Sequence, residues 1–274
     1  MNQEYHKFGS GSFRRAVSIR TNRIVVAALL YGGDAVNIEV LTDSESVAKR
    51  AAAIIAEEAR QAVAGRGAFV LAVSGGRTPW IMLRALAEMT IPWPAVHIFQ
   101  VDERVAPEGD PDRNLTHLLE SLRNSPMQPE QIHTMPVESP ELQAAADCYA
   151  GLLRRIAGNP PVIDLVHLGL GPDGHTASLV PGDPVLDVVR ADVALSGPYQ
   201  GRRRMTLTYP VLNRARRVLW VVTGTEKAPM VNRVVAGDRA IPAGRIRGDH
   251  ATLLVDGEAA RNYRAVIEGG ALCV

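Results

Sequence analysis

The chain has 274 residues, of which 46% are hydrophobic and 22% charged, and its formal net charge is +1. These proportions are ordinary for a globular protein with a substantial core, and the near-neutral charge carries no electrostatic footprint for nucleic acid. The sequence contains no apolar run of the roughly 18 residues that a membrane span needs. Cys148 and Cys273 lie far apart and form no metal-binding spacing. We expect a cytoplasmic protein without a nucleic-acid or membrane partner, because so few cysteines suggest a reducing compartment.

Residues 1–36 differ from the rest of the chain. Several arginines between positions 14 and 23 precede a short apolar run at residues 24–30. No small-residue cleavage site follows that run, which argues against a signal peptide, while the arginine content leaves an organelle-targeting segment open. We predict that residues 1–36 are a flexible or loosely attached extension. Residues 37–274 are predicted to form a single catalytic α/β domain.

Strand patterns alternate with helical patterns along residues 37–260. Such alternation predicts a doubly wound, mostly parallel sheet with helices on both faces. The predicted strands are residues 37–41, 68–73, 96–101, 132–135, 163–170, 188–195, 204–209, 217–223 and 252–255. The first predicted helix starts at the capping box Thr42-x-x-Glu45, continues through the alanine-rich residues 48–63 and ends at Gly65 and Gly67. The other predicted helices are residues 115–122, 140–156 and 256–260, with two more that begin near residues 78 and 224.

A glycine-rich loop, Ser74-Gly-Gly-Arg-Thr-Pro79, follows the strand predicted at residues 68–73. Glycines let the backbone approach a ligand closely, and the free amides at a helix start favour an anion. Thr78 fits the N-cap position and Pro79 the first helical position. No Gly-Lys-Ser/Thr triplet follows, so the loop does not match a nucleoside triphosphate site. A phosphate cradle and a plain strand-to-helix turn fit these residues equally well.

Two acidic residues and an arginine, Asp102-Glu-Arg104, stand where the strand predicted at residues 96–101 ends. Open parallel sheets bind their ligands at this edge, so the triplet is a candidate for chemistry. The alternative is a solvated ion cluster, because most charge clusters are simply surface.

The stretch Ile163 to Gly182 organises the rest of the chain. Its apolar first half predicts a strand buried on both faces, and the glycines that follow permit a tight turn. This places Asp173 and His175 at the mouth of the sheet. The spacing Gly169-x-Gly-x-x-Gly174 formally matches a dinucleotide fingerprint, but Pro181 comes too early for the helix that this fingerprint needs. The structural alternative is a histidine that caps a short helix or is solvated.

Two further basic residues stand at the starts of predicted elements. Arg204 ends a run of three arginines and begins a stretch in which polar and apolar residues alternate, which predicts a half-exposed strand. Lys227 lies in a first helical turn, where the helix dipole disfavours a cation. A bound anion would remove that conflict, whereas a solvated lysine stem is the structural alternative.

Together these motifs resemble one family. The segment Gly171-Pro-Asp-Gly-His-Thr-Ala-Ser-Leu-Val-Pro-Gly182 resembles the signature of the 6-phosphogluconolactonases. The related glucosamine-6-phosphate deaminases continue after Asp-Gly-His with Ile-Ala-Phe-Asn-Glu-Pro, and they carry Asp-Glu-Tyr in place of Asp102-Glu-Arg104. The resemblance spans residues 37 to 260 and departs from the usual lactonase pattern at Val101 and Val180. It implies a Rossmann-like fold, similar to that of the deaminases and ribose-5-phosphate isomerase.

The resemblance also implies a reaction, the hydrolysis of 6-phospho-D-glucono-1,5-lactone to 6-phospho-D-gluconate in the oxidative pentose phosphate pathway. His175 would act as a general base on water, and Asp173 would orient the imidazole or its loop. Arg77 and Arg104 are both candidates to face the carbonyl oxygen. The implied catalytic residues are His175, Asp173, Asp102, Glu103 and Arg104. The implied substrate- and phosphate-binding residues are Ser74, Gly75, Gly76, Arg77, Thr78, Gly171, Gly174, Arg204 and Lys227.

Two alternative functions fit the same scaffold. A sugar-phosphate isomerase or deaminase would use Asp102 to abstract the proton next to the carbonyl, and a non-catalytic sugar-phosphate-binding domain would usually lack the histidine. The Thr-Ala-Ser-Leu continuation and His175 favour the lactonase. No metal or cofactor is expected, since a δ-lactone is already an activated ester and His167 and His175 lack further ligands at zinc spacing. We expect a monomer or a small homo-oligomer.

Overall fold

The computed structural model describes residues 16–20, 23–29 and 35–261, and within them the chain forms twelve strands and six α-helices. The strands are β1 (Ala16–Arg20), β2 (Arg23–Leu29), β3 (Ala35–Leu41), β4 (Phe69–Val73), β5 (Val96–Gln100), β6 (Asp102–Arg104), β7 (Ile132–His133), β8 (Leu165–Leu168), β9 (Val193–Tyr199), β10 (Arg202–Leu207), β11 (Arg217–Val222) and β12 (Ala251–Asp256). The helices are α1 (Ser44–Arg66), α2 (Arg77–Ala87), α3 (Asn114–Leu122), α4 (Leu142–Ala157), α5 (Tyr209–Arg214) and α6 (Ala228–Val235).

The larger sheet has the strand order β1-β2-β3-β12-β11-β8-β4-β5-β7 within the described residues. The strands from β3 to β7 in this order are parallel, while β2 pairs antiparallel with β3 and β1 antiparallel with β2. The central strands are almost wholly apolar because both of their faces are covered. The predicted mostly parallel sheet is thus confirmed.

Helices cover both faces of this sheet, as the alternation along the chain predicted. Along β4, Phe69 and Leu71 point into a core shared with α1, α2 and α3. Val70 and Ala72 point into a second core shared with α4, α5 and α6. The alternation follows from the two-residue period of a strand, which sends successive side chains to opposite faces.

The chain changes direction across the sheet between β4 and β8. From β4 it passes through α2 to β5 on one side, and from β8 it passes on to β11 on the other side. Such a switch point opens a crevice beyond the carboxyl ends of the two strands, because their connections diverge. The loop that starts at Ser74 and the loop that carries His175 therefore border one crevice.

A smaller antiparallel sheet, in the order β6-β10-β9, stands over this edge. It is tied to the larger sheet through Val101, whose amide donates to the carbonyl of Val73 and whose carbonyl accepts from the amide of Leu207. The prediction of a half-exposed strand after Arg204 is wrong. Met205, Thr206 and Leu207 are all buried because β10 packs between its neighbours and the core below α4.

Other predicted elements also differ from the structure. The strand predicted at residues 188–195 starts only at Val193, since residues 188–192 form an irregular segment after a 3-10 turn over residues 184–187. Residues 257–260 form a turn in place of the predicted helix, and α5 has no counterpart among the predicted elements. Within the predicted extension, β1 and β2 form strands at the edge of the sheet, and most of its other residues lie outside the described ones. The flexibility of residues 1–36 and the domain boundary stay predictions.

Candidate active site

A cleft of about 710 Å³ lies at the switch point between β4 and β8. The loops after β4, β8 and β11, the start of α3 and the β9–β10 hairpin all contribute to its walls. It brings together most of the residues that the sequence singles out. The predicted site residues that line it are Ser74, Gly75, Gly76, Arg77, Thr78, Asp102, Arg104, Gly171, His175, Arg204 and Lys227.

The loop after β4 presents the start of α2 to the cleft. Gly76 takes a φ of 134° and forms the N-cap without a capping side chain, a backbone conformation that favours glycine. The predicted cap at Thr78 is wrong, since its hydroxyl lies 2.8 Å from the Thr223 hydroxyl instead. A Cβ at Gly75 would collide with the side chain of Asn114. Because no side chain caps α2 at Gly76, the first backbone amides of the helix are free to bind an anion.

His175 and Asp173 form a tightly bonded pair at the turn after β8. The Nδ1 of His175 lies 2.6 Å from Oδ1 of Asp173, which also accepts the His175 backbone amide at 3.1 Å. Burial raises the pKa of Asp173, but the hydrogen bonds and charge of His175 outweigh it and hold that pKa below its usual range. An ionised carboxylate can only accept, so Nδ1 carries a proton. Nε2 is then the imidazole nitrogen left to act on a substrate.

Two glycines allow this pair to form. A Cβ at Gly171 would collide with the imidazole of His175 and crowd the carboxylate of Asp173, and one at Gly174 would press on Ile241. Gly174 also has a φ of 85°. The turn is closed by the amide of Gly171, which donates to the carbonyl of His175 at 2.8 Å. Asp173 and Gly174 thus stand behind His175 and support it, without themselves lining the cleft.

Three basic side chains line the cleft, those of Arg104, Arg204 and Lys227. Arg104 and Arg204 are direct partners across β6 and β10, a placement that is unfavourable for like charges unless an anion joins them. Arg204 is only 4% exposed, and its Nε has no hydrogen-bond partner within the described residues. Burial lowers the pKa of Arg204, and burial also lowers the pKa of Lys227. A buried guanidinium nitrogen without an acceptor is costly, so the cleft beside Arg204 fits an anionic group.

The three residues of the Asp102-Glu-Arg104 motif are placed differently. Asp102 is buried at the cleft wall and accepts the Ser178 hydroxyl at 2.6 Å. Arg104 is held at the cleft by the side-chain oxygen of Asn114, at 2.6 Å.

Glu103 is not brought into the cleft. It is fully buried, and it accepts the first two amides of α3, those of Asn114 and Leu115, each at 2.8 Å. The guanidinium of Arg113 lies 3.2 Å from its carboxylate. A carboxylate at a helix N-terminus is stabilised by the helix dipole, so the surroundings of Glu103 are those of a structural residue.

Several site residues carried no signal in the sequence pattern. Tyr199 and Gln200 stand in the β9–β10 hairpin just before the run of three arginines, and nothing in the pattern singled out these two residues. Ser178 reaches Asp102 only through the fold, since 76 residues separate them. Asn114 ends the segment Asp110-Pro-Asp-Arg-Asn114, which resembles the Asp-Ser-Asn segment of the lactonases, and this resemblance was the available signal.

The histidines and acids of the described residues form no group of three or more that could hold a metal ion. His167, the histidine nearest to His175 in sequence, is fully buried beneath the loop after β4. Its Nδ1 accepts the amide of Ser74 at 3.3 Å, and burial lowers its pKa to about 3.

The chain is similar to known proteins over most of its length. The family model described as glucosamine-6-phosphate isomerases/6-phosphogluconolactonase matches residues 42–255. The 6-phosphogluconolactonase of Synechocystis is 34% identical over 83% of this chain and 98% of that protein. The protein of the same name from Mycobacterium tuberculosis is 36% identical over 82% of this chain and 97% of that protein.

Solved structures agree with these relatives. The 6-phosphogluconolactonase of Thermotoga maritima has a TM-score of 0.71 and 27% identity, over 80% of this chain and 98% of that one. A monomeric glucosamine-6-phosphate deaminase has the same TM-score of 0.71 at 19% identity, over 82% of this chain and 98% of that one, and shares the fold.

Proposed function

The chain belongs to the family of glucosamine-6-phosphate isomerases and 6-phosphogluconolactonases, and we propose how the residues of its cleft carry out the lactonase reaction. Its relatives at 34–36% identity are 6-phosphogluconolactonases, and the chain is an enzyme of this type. It hydrolyses 6-phospho-D-glucono-1,5-lactone to 6-phospho-D-gluconate, a step of the oxidative pentose phosphate pathway. The observation that supports the roles below is the bonded Asp173–His175 pair beside a cationic pocket.

His175 acts as the general base. Its Nε2 takes a proton from water as the water oxygen forms a bond to the lactone carbonyl carbon. The tetrahedral intermediate then collapses, the bond to the ring oxygen breaks, and the imidazolium returns the proton to that oxygen. The ionised Asp173 stabilises the imidazolium between these steps, because an anion hydrogen-bonded to Nδ1–H favours the charged ring.

The phosphate binds at the cationic end of the cleft. The free amides at the start of α2, together with Arg204 and Lys227, supply donors and positive charge. The unpartnered Nε of Arg204 supports this assignment, because a buried guanidinium nitrogen needs an acceptor. Binding energy from a phosphate remote from the reacting bond then aligns the lactone carbon with His175.

Two acidic residues of the motif after β5 take supporting roles. Asp102 accepts hydroxyl groups of the sugar, since its carboxyl oxygens at the cleft wall have acceptor capacity beyond the bond with Ser178. Glu103 holds the start of α3 in place and thereby positions Asn114. Arg77 and Arg104 both line the cleft and stay the two candidates for the carbonyl oxygen.

The location and assembly are further proposals. We propose that the protein acts in the cytoplasm on its small-molecule substrate, as a monomer or small homo-oligomer, and does not bind nucleic acid. The two cysteines and the net charge of +1 support this. Among the described residues, none of the helices combines the length and apolar character that crossing a bilayer requires.

The test of the proposed roles is hydrolysis of freshly generated lactone, followed by acid release and corrected for the spontaneous reaction. The wild-type chain should accelerate hydrolysis, and His175→Ala should lower kcat by roughly 10²- to 10⁴-fold, the usual contribution of a general base. KM should change little because the phosphate contacts remain. His117→Ala, which removes a histidine outside the cleft, should leave kcat unchanged. A folded wild-type chain without activity overturns the function, and an unchanged kcat in His175→Ala overturns the base.

A further inference from the structure

Tyr199 stands at the end of β9, behind the catalytic pair. The tip of the β9–β10 hairpin turns back at Gln200, a non-glycine residue with a φ of 53°. This turn directs the Tyr199 side chain toward the loop after β8. The side chain touches three residues to which the proposed function gives roles, namely His175, Asp173 and Arg204.

The hydroxyl of Tyr199 completes the bonding of Asp173. It donates to Oδ2 of Asp173 at 3.2 Å and lies 3.4 Å from Nδ1 of His175. Because Nδ1 carries a proton and bonds to Oδ1, it has no lone pair for the hydroxyl, so the hydroxyl proton is directed to Oδ2. Each carboxylate oxygen is then held by a different donor side chain. This arrangement opposes rotation of the carboxylate away from the imidazole.

Burial, followed by the charge of Asp173, raises the pKa of Tyr199. The hydroxyl therefore keeps its proton and remains a donor throughout the neutral range.

The ring of Tyr199 makes two further contacts. Its centroid lies 5.1 Å from that of the His175 imidazole, with an angle of 65° between the planes, which is a favourable edge-to-face arrangement. The guanidinium of Arg204 stands 5.0 Å from the ring centroid, within cation–π range. The ring of Tyr199 therefore contacts both the imidazole of His175 and the guanidinium of Arg204.

We propose that Tyr199 is a positioning residue for lactone hydrolysis: its hydroxyl orients the Asp173–His175 pair and its ring supports Arg204. The inference rests on the proposed function, since it takes His175 as the base and Arg204 as a phosphate ligand. The two contacts use different parts of the side chain and can be separated by substitution.

Tyr199→Phe removes the hydroxyl and keeps the ring. We expect kcat to fall about 5- to 20-fold, as for loss of one hydrogen bond to a partly exposed charged group, with KM within about twofold of wild type. The acid limb of the kcat/KM profile should move to higher pH. Without the hydroxyl proton near it, the Asp173 carboxylate attracts the imidazolium more strongly, and the base is protonated earlier as pH falls.

Tyr199→Leu removes the ring as well. It should show the same loss of kcat and, in addition, a KM raised about 3- to 30-fold, the range of a cation–π contact. Binding of the product 6-phosphogluconate, measured by calorimetry, should weaken in Tyr199→Leu and stay near wild type in Tyr199→Phe. Arg203→Ala, an exposed neighbour on the same hairpin, is the matched control and should match wild type in all these measurements.

The outcomes separate the two levels of inference. An inactive but folded wild-type chain overturns the proposed function and with it the role of Tyr199. An active wild type with unchanged kcat and acid limb in Tyr199→Phe overturns only the role of the hydroxyl. Equal affinity for 6-phosphogluconate in both variants overturns the role of the ring. If Tyr199→Leu does not fold, Tyr199→Trp, which keeps an aromatic face and lacks the hydroxyl, should bind the product at least as well as Tyr199→Phe.

Discussion

Replacing Asp173 with asparagine tests the catalytic pair most directly. In the wild-type chain, the backbone amide and Nδ1 of His175 both donate to Oδ1 of Asp173. The amide oxygen of an asparagine can still accept both hydrogen bonds, so the geometry is kept while the charge is lost. A hydrogen bond between charged groups contributes about 1.5–3 kcal/mol. Since the Asp173 side chain is 36% exposed, solvent screening reduces this to about 1.5–2 kcal/mol. That difference corresponds to a fall in kcat of about 10- to 30-fold.

The pH profile gives the assay a second readout. Without the carboxylate, the imidazolium loses its stabilising anion, so the base form persists to lower pH and the acid limb of kcat/KM should move downward. Rates are measured between pH 5 and pH 8 with fresh lactone, each corrected for spontaneous opening. The matched control is Asp187→Asn, an exposed carboxylate outside the cleft. A variant that keeps the wild-type kcat and the wild-type acid limb would refute the reasoning.

Two further predictions concern the phosphate end and stability in acid. Arg204→Met should raise KM about 10- to 100-fold, because it removes a charged donor to the phosphate; steady-state kinetics beside Arg203→Met check this, and an unchanged KM contradicts it. The ring nitrogens of His97 and His133 lie 3.2 Å apart, and burial, followed by the charges of His97 and Arg155, lowers the pKa of His133 to about 4. The unfolded chain then binds more protons between pH 6.5 and 4, so the free energy of unfolding should fall by about 2 kcal/mol as pH drops through that window. Urea unfolding should show a smaller fall in the free energy of unfolding for His133→Gln than for wild type over this pH window. Equal falls in the two proteins would contradict the prediction.

The strands of the parallel sheet could be located from sequence because they are apolar on both faces. The run at residues 68–73 and that at residues 217–223 match β4 and β11 closely. The ends of the long helix α1 were close to those predicted, since Gly67 forms its C-cap, but the N-cap is Asp43 and not the neighbouring Thr42. The strand β10 was assigned the wrong environment, since local alternation does not reveal that the middle strand of the smaller sheet is buried on both faces.

The sequence predicted the main residues of the site, but it did not reveal the residues that hold them in position. His175 and Asp173 are two residues apart on one glycine turn, so their meeting is a local event that sequence spacing reveals. Glu103 stands beside Asp102 in the same motif, yet it points toward α3, because successive residues of a strand face opposite sides. The hydroxyl of Tyr199 reaches Asp173 from 26 residues away, and no local pattern encodes that distance.

By itself the sequence determined the alternation of strands and helices, the glycine turns and the residues able to carry acid–base and phosphate chemistry, because each depends on neighbours within a few positions. Only the tertiary structure decided which of these residues meet. The switch point between β4 and β8 joins the two loops, and the pairing of β6 with β10 sets Arg104 beside Arg204. Contacts of this kind depend on how separate elements pack, and packing is a property of the whole chain that a local stretch of residues does not contain.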